Sequence, residues 1–305
     1  MPKPRVLVIG EALIDIVREN AGAHLEHVGG SPANVAVGLA RLDHKVRLAT
    51  TLGRDQRGQR IAEHLQRHGV KLGKASFTRE PTSTAQVTFD EEHNATYDFD
   101  IHWNLPAPKV GQRTTHLHTG SLATVLEPGA TRTRAALRSN RDSATLSYDP
   151  NIRPGVMGDL EEVHAGVEEL VPIIDVVKAS SADIAQLYPG RSPEEVIAHW
   201  LDLGPALVVI TLGPGGAMFK ARSGDLVELP ARASAVVDTV GAGDSFMAGL
   251  LSGLLSLRML GDADARATLA GASSQDVQPA IERGLATSAV TVGHAGAYAP
   301  SLDEL

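Results

Sequence analysis

Residues 238–246 read DTVGAGDSF, and they connect two segments of different character. The apolar stretch ASAVV before Asp238 is typical of a strand, and SFMAGLLSGLL after Asp244 has the spacing of a helix. Gly241, Ala242 and Gly243 therefore form the turn at which a helix begins, where free backbone N–H groups and the helix dipole favour an anion. These small residues let a phosphate group approach the backbone closely.

Asp244 places a negative charge beside this turn, and two interpretations explain it. An aspartate at the start of a helix commonly caps that helix. A carboxylate here is also suited to accept the proton of an alcohol that attacks a phosphoryl group, while the turn amides stabilise the transferring oxygens. The two glycines and the second carboxylate, Asp238, favour the second interpretation, a phosphotransferase site. It is not a P-loop, because the chain contains no Gly-x-x-x-x-Gly-Lys-Ser/Thr.

The rest of the chain alternates strand-like and helical segments. RVLVIG and ALVVITLG are typical of strands buried on both faces, whereas GQRIAEHLQRHG and SPEEVIAHWLDLG have helical spacing. This order predicts an α/β fold with a mostly parallel sheet and helices on both sides. Ligands bind at the carboxyl ends of strands in such sheets. The polar or glycine-rich segments expected there are GGSPAN, DPNIRP, SSAD, TLGPGG and DTVGAGD.

Three other segments alternate apolar and polar residues, which indicates strands with one face in water. They are LIDIVREN, HLEHVGG and AQVTFDEEHNATYDFD. We expect them to form a small antiparallel flap separate from the main sheet.

Composition excludes several classes of function. The chain has 305 residues, of which 43% are hydrophobic and 21% charged, as in ordinary globular proteins. The net charge of −8 and the scattered basic residues argue against nucleic acid or an anionic membrane as a partner. The absence of cysteine excludes disulfides and thiolate metal sites. The sequence shows neither a signal peptide nor a segment long enough to span a bilayer, so we expect a cytoplasmic protein.

Two segments carry a resemblance to a known family: GGSPANVAVGLARL near the N-terminus and DTVGAGDSFMAGLL near the C-terminus. In this order they are similar to the two signatures of the ribokinase-like (PfkB) carbohydrate kinases, and the chain most resembles the bacterial fructokinases. The resemblance covers nearly the whole chain. It implies one kinase domain over residues 1–305, a three-layer αβα sandwich, and a β-lid formed by segments of approximately 12–30 and 74–105.

The resemblance also implies ligands and site residues. The cofactors are ATP and Mg²⁺, with K⁺ in some relatives, the acceptor is a sugar, and a homodimer forms through the lid. The implied catalytic residues are Asp244 as the base and Gly241, Ala242 and Gly243 as the anion hole. The implied residues of the substrate cleft are Asp15, Gly29, Gly30, Asn34, Asp149 and Arg153. The implied nucleotide-binding residues are Asn151, Ser180, Thr211, Gly213 and Gly216.

One motif departs from the family pattern. Many relatives carry Asn-x-x-Glu where this chain has Ser180-x-x-Asp183. Because the amide is lost and the acid is shorter, we expect Asp183 to act on Mg²⁺ through water rather than directly. Asp238, the backbone of Val240 and the segment GHAGAYAP together offer a place for a monovalent cation.

Alternatives stay open at several positions. Asn34 is also suited to cap a helix, Arg153 to form a structural ion pair, and TLGPGG to form a plain hairpin. Fructose is the predicted acceptor, and the alternatives are 2-keto-3-deoxygluconate, ribose or a nucleoside. The altered Ser180-x-x-Asp183 motif leaves open a sugar sensor that has lost catalysis.

Overall fold

The computed structural model describes residues 4–18, 24–89, 95–232 and 235–305. Its strands are β1 (Arg5–Ile9), β2 (Leu13–Arg18), β3 (His24–Gly29), β4 (Lys45–Ala49), β5 (Lys71–Leu72), β6 (Thr84–Phe89), β7 (Ala95–Asp100), β8 (His116–Gly120), β9 (Thr145–Asp149), β10 (Val176–Ser180), β11 (Leu207–Thr211), β12 (Ala217–Ala221) and β13 (Val227–Leu229). Its α-helices are α1 (Ser31–Arg41), α2 (Gln56–Arg67), α3 (Gly129–Asn140), α4 (Pro154–Met157), α5 (Leu160–Leu170), α6 (Ser181–Leu187), α7 (Pro193–Leu203), α8 (Ala242–Ser256), α9 (Ala263–Gly271) and α10 (Ser274–Val292).

The main sheet has the strand order β13-β12-β11-β10-β9-β8-β1-β4-β5. Pairing is parallel from β5 through to β11, and β12 and β13 continue the sheet in antiparallel fashion. The antiparallel edge arises because β11 and β12 are joined by a short glycine-rich turn, which only antiparallel neighbours can use. The predicted mostly parallel sheet is confirmed.

Two hydrophobic cores lie on opposite faces of this sheet. In β1, Val6 and Val8 face a core shared with α1, α2, α8, α9 and α10, whereas Leu7 and Ile9 face a core shared with α3, α5, α6 and α7. This division follows from the two-residue period of a strand, and it explains why continuous apolar runs form these strands. The predicted three-layer αβα arrangement is confirmed.

A second, smaller sheet, which we call the lid sheet, has the order β3-β2-β6-β7. The β2–β3 and β6–β7 pairs are antiparallel as expected, but β2 and β6 are parallel. These two strands pair in parallel because the chain passes through the main sheet and α2 between them, so no hairpin connects them. Glu26 of β3 holds the lid sheet to α2 through salt bridges with Arg57 (2.6 Å) and Arg60 (3.2 Å).

The segment before the Asp238 turn differs from the prediction. Residues 235–237, predicted as the end of a strand, belong to neither sheet, and the side chains of Val236 and Val237 are 64% and 66% exposed. The N–H of Val237 instead donates to the carbonyl oxygen of Val292 at the end of α10 (2.7 Å). The strand preference of valine has no effect here because, in the described residues, no strand pairs with the segment.

Among the described residues, none of the helices combines the length and the hydropathy needed to traverse a lipid bilayer. The extent of the single predicted domain, residues 1–305, stays a prediction.

Candidate active site

The turn at residues 241–243 lies at the start of α8, as predicted. Gly241 occupies the N-cap position with φ 75°, a left-handed conformation, and an added Cβ there would come within 2.6 Å of the Ala297 methyl. The Ala242 N–H, one of the predicted anion-hole donors, already donates to the Thr239 carbonyl oxygen (3.2 Å). Within the described residues, the N–H groups of Gly241 and Gly243 have no acceptor, so these two remain available for an anion.

Asp244, in the first turn of α8, directs its carboxylate towards α1 and not onto its own helix. Its Oδ1 accepts a hydrogen bond from Ser31 Oγ (2.7 Å), and its Oδ2 accepts one from Asn34 Nδ2 (2.8 Å). Burial raises the pKa of Asp244, while the two hydrogen bonds and the charges of Lys178 and Arg153 oppose that increase. A fixed carboxylate of raised proton affinity is suited to accept a proton, and α8 has no side-chain cap bond that would support the capping interpretation.

Asn34 was predicted to bind the sugar, and Ser31 was not predicted at all. In the structure, both side chains donate hydrogen bonds to the Asp244 carboxylate. Both belong to the first turn of α1, and α1 packs against α8. Asn34 is therefore first of all a positioning residue for the carboxylate, and its contact with the sugar stays a prediction.

Asp15 and the two predicted glycines of the sugar site lie together. An added Cβ on Gly29 would lie 1.9 Å from Asp15 Oδ2, so only glycine leaves room for this carboxylate. Gly30 has φ 101°, and an added Cβ there would lie 2.7 Å from the Glu11 carbonyl oxygen. Burial and the nearby charge of Asp244 raise the pKa of Asp15 to about 6, whereas Arg153 acts against this increase.

Glu11, which follows β1, is a member of the site that we did not predict. Its side chain is 4% exposed, and its Oε2 has no hydrogen-bond partner in the described part of the chain. Burial raises the pKa of Glu11 to about 7, although hydrogen bonds from its own backbone and from Ser121 and the charge of Arg153 lower it. A carboxyl group inside the apolar run IGEALI was the available signal in the sequence.

The shifted pKa of Glu11 predicts a pH-dependent stability. A carboxyl group whose pKa rises from 4.5 to about 7 on folding contributes stability below pH about 4.5 and loses that contribution as the pH rises to about 7. The variant Glu11→Gln stays neutral, so at pH 8 its free energy of unfolding should exceed that of the wild type by about 3 kcal/mol. At pH 4.5 the two proteins should be nearly equal.

Urea unfolding at both pH values measures this difference. Glu63→Gln on the exposed face of α2 is the matched control, and it should change stability at neither pH. Equal stability of Glu11→Gln and the wild type at pH 8 would contradict the prediction.

The loop after β9 carries two further predicted residues. Asn151 adopts φ 43°, and the N–H of Ile152 donates to Asp183 Oδ1 (2.7 Å). The Arg153 side chain is exposed and donates to the neighbouring Ile152 carbonyl oxygen (2.9 Å). Its positive charge lowers the pKa values of Glu11 and Asp15, so Arg153 lies close enough to act on both carboxylates.

Ser180 and Asp183 form a capping box at the start of α6. Asp183 Oδ2 accepts from the Ser180 N–H (2.7 Å) and Oγ (2.6 Å), and Ser180 Oγ in turn accepts from the Asp183 N–H (3.0 Å). Because Asp183 Oδ1 is bonded to Ile152, direct coordination of Mg²⁺ would compete with three existing hydrogen bonds. The carboxylate therefore does not fit a direct metal ligand, and contact through water stays a prediction. Among the described residues, no group of three or more His, Asp or Glu is arranged to hold a metal.

The predicted nucleotide loop is a hairpin that begins at the same edge of the sheet. Ser180 and Thr211 are neighbours across β10 and β11. Gly213 and Gly216 adopt φ 58° and 100°, and the Leu212 N–H donates to the Gly216 carbonyl oxygen (2.8 Å). The segment TLGPGG therefore forms a hairpin, as one of the two interpretations predicted. Nucleotide binding by these residues stays a prediction.

Asp238 fastens the turn before α8 to the C-terminal segment. Its Oδ1 accepts from the Val240 N–H (3.0 Å) and its Oδ2 from the Gly296 N–H (2.8 Å). These backbone hydrogen bonds lower the pKa of Asp238. The structure therefore brings Asp238 and GHAGAYAP together as expected, while the binding of a monovalent cation there stays a prediction.

Comparison with known proteins identifies the family. Residues 3–304 match the pfkB family of carbohydrate kinases. The chain belongs to this family. It is 32% identical over 262 residues to the fructokinase of Salmonella typhimurium, which covers 82% of this chain and 84% of the relative. It is 28% identical over 260 residues to the 2-dehydro-3-deoxygluconokinase of Bacillus subtilis (strain 168), which covers 80% and 79%.

The fold is also similar to that of a solved member of the family. This is a fructokinase double mutant from Vibrio cholerae O395 in a form with fructose, ADP and a potassium ion, with a TM-score of 0.84 and 27% identity. The similarity covers 99% of this chain and 96% of that chain. The protein is accordingly a carbohydrate kinase of the pfkB family.

Lys178 is another residue of this pfkB-family site that we did not predict. Its Nζ donates to Asp149 Oδ2 (2.8 Å), and the two side chains are 4% and 2% exposed. Burial raises the pKa of Asp149 to about 6, although Lys178 lowers it. A lysine in the middle of the buried strand VVKAS was the signal in the sequence, because charged side chains are rarely buried without a partner.

Proposed function

We propose that this kinase transfers the γ-phosphoryl group of ATP to a primary hydroxyl group of fructose. The observation that carries the proposal is the position of the Asp244 carboxylate, directly after a turn with free N–H groups and close enough to Asp15 to raise its pKa. We therefore assign the two carboxylates and the turn to one site, near the carboxyl ends of the parallel strands.

Each group has a separate task in the proposed reaction. Asp15 orients the sugar hydroxyls, and Asp244 accepts the proton of the attacking hydroxyl as the new bond to phosphorus forms. The free N–H groups of Gly241 and Gly243 stabilise the negative charge on the transferring oxygens. The lid sheet excludes water, which competes as an acceptor.

The carboxylates of the site favour a neutral acceptor. The charge of Asp244 lies close enough to Glu11 and Asp15 to raise the pKa of both. An acidic sugar among these carboxylates would be repelled, because like charges disfavour binding. The relative that acts as a 2-dehydro-3-deoxygluconokinase keeps an acid sugar as the second candidate, with Arg153 as the cation for its carboxylate.

The cofactors and the oligomeric state belong to the same proposal. ATP is the phosphoryl donor, and Mg²⁺, held chiefly by the ATP oxygens and contacting Asp183 through water, neutralises phosphate charge. The solved relative with ADP and potassium supports a nucleotide and a monovalent cation. Asp238 and the segment GHAGAYAP are the place that we assign to the cation. Leu25 on β3, 46% exposed, supports a homodimer through the lid sheet, and sedimentation equilibrium showing a monomer would contradict it.

The acceptor is tested by coupled ADP release with fructose, ribose, tagatose, 2-keto-3-deoxygluconate and adenosine. We expect the largest kcat/KM for fructose, by about tenfold or more, because a site that pairs with specific hydroxyl groups rejects analogues that lack them. A larger value for 2-keto-3-deoxygluconate would favour the second candidate. No ADP release with any acceptor would contradict the kinase proposal and favour a sensor.

A further inference from the structure

A structural role alone does not explain why the charged side chain of Lys178 is buried. It belongs to β10 and faces α8, on the same side of the sheet as Val176. Burying an ion pair in a protein core is often no more favourable than packing apolar side chains there. The pair is also incomplete, because Asp149 Oδ1 is buried and has no partner in the described residues. A charge kept in such a place indicates a task beyond joining two strands.

The ammonium group lies directly beside the proposed anion hole. An added Cβ on Gly243 would come within 3.2 Å of Lys178 Nζ. The Gly243 N–H is one of the two free donors of the turn, and the next residue is Asp244. A phosphoryl group that reaches the turn would therefore also reach the ammonium.

The ammonium group of Lys178 also stays charged in this environment. Burial lowers its pKa, but the negative charges of Asp149, Asp183 and Asp244 outweigh that effect and raise it above the ordinary value. These are carboxylates from β9, α6 and α8, the elements packed around it, while His118 of β8 is buried and neutral because burial lowers its pKa to about 3. An ammonium group that stays charged at any pH of interest can neutralise a phosphate.

Building on the proposed function, we propose that Lys178 is a catalytic residue whose ammonium group contacts the transferring phosphoryl group, with Asp149 as its positioning residue. In the step itself, the acceptor oxygen forms a bond to the γ-phosphorus and the bond from that phosphorus to the bridging oxygen breaks. The electron pair leaves with ADP, and the hydroxyl proton passes to Asp244. Lys178 gains and loses no proton, and it stabilises charge on the phosphoryl oxygens.

The variant Lys178→Met tests this inference with the best acceptor of the ADP-release screen. We expect kcat to fall about 100-fold or more, while KM for the sugar changes little, because the contact exists only with the transferring group. Binding of ADP with aluminium fluoride and the sugar, a mimic of that group, should weaken similarly, whereas ADP alone should bind as before. Lys220→Met is the matched control, since Lys220 lies in β12 of the same sheet, opposite Val208 at the other end of β11.

A chemical rescue separates catalysis from folding. The chain has no cysteine, so Lys178→Cys can be alkylated selectively with 2-bromoethylamine in the unfolded state and refolded, which restores an ammonium group. We expect Lys178→Cys to be as impaired as Lys178→Met and the alkylated protein to regain most of kcat. If wild type is active and Lys178→Met retains the kcat of Lys220→Met, or if alkylation of an impaired, folded Lys178→Cys restores nothing, this inference is wrong and the proposed function stands. An inactive wild type would overturn both.

Discussion

Asp244→Asn should reduce kcat about 1,000-fold and leave KM for the sugar nearly unchanged. The amide keeps the size of the side chain but cannot accept the hydroxyl proton, and general base catalysis contributes on this scale. Ser31 and Asn34 of α1 hold the Asp244 carboxylate by hydrogen bonds. In the wild type, little free energy is therefore needed to orient the carboxylate in the transition state.

The same residue should set the acid limb of the pH profile. Since burial raises the pKa of Asp244, kcat of the wild type should fall with decreasing pH at values above the ordinary aspartate range. Turnover is measured by coupled ADP release from acid to neutral pH. Asp264→Asn, which changes an exposed acid in the first turn of α9, is the matched control and should behave as wild type. Turnover of Asp244→Asn within a few-fold of wild type would remove Asp244 as the base.

Asp15→Ala should weaken the use of fructose mainly through KM. A hydrogen bond from a hydroxyl group to a charged carboxylate contributes about 1.5–3 kcal/mol, so the loss of kcat/KM should be about 100-fold or more if two hydroxyls are bound. In the wild type, kcat/KM should also decline as the pH falls through about 6, because Asp15 then gains a proton and loses its charge.

Two further variants make this prediction specific. Gly29→Ala keeps the Asp15 residue but puts a methyl group where its carboxylate lies, so the carboxylate has to move and most of the loss should be reproduced. Asp98→Ala removes an exposed carboxylate from β7 of the same lid sheet and should change kcat/KM little. A KM for fructose that is unchanged in Asp15→Ala would show that the sugar binds elsewhere.

Local chemistry made part of the site predictable. The Gly-x-Gly turn before a helical segment identified both the start of α8 and the acid beside it, because glycine conformations and free helix N–H groups depend on neighbouring residues only. Continuous apolar runs likewise predicted the strands of the main sheet, and alternating apolar and polar residues predicted the strands of the lid sheet. The strand predicted at ASAVV failed in its described residues because strands need partners, and a short segment does not specify them.

The sequence by itself determined the layered α/β architecture, the start of α8 and the chemical character of its first turn. Tertiary structure decided which residues surround that turn. Ser31 donates a hydrogen bond to Asp244 from 213 residues away in the sequence, and Lys178 of β10 donates one to Asp149 of the neighbouring strand β9. It also decided that Ser180 and Asp183 satisfy each other and that Ala242 has already used its N–H group. Periodicity and turns are properties of neighbouring residues, whereas charge neutralisation and hydrogen-bond partners depend on distances that only the folded chain establishes.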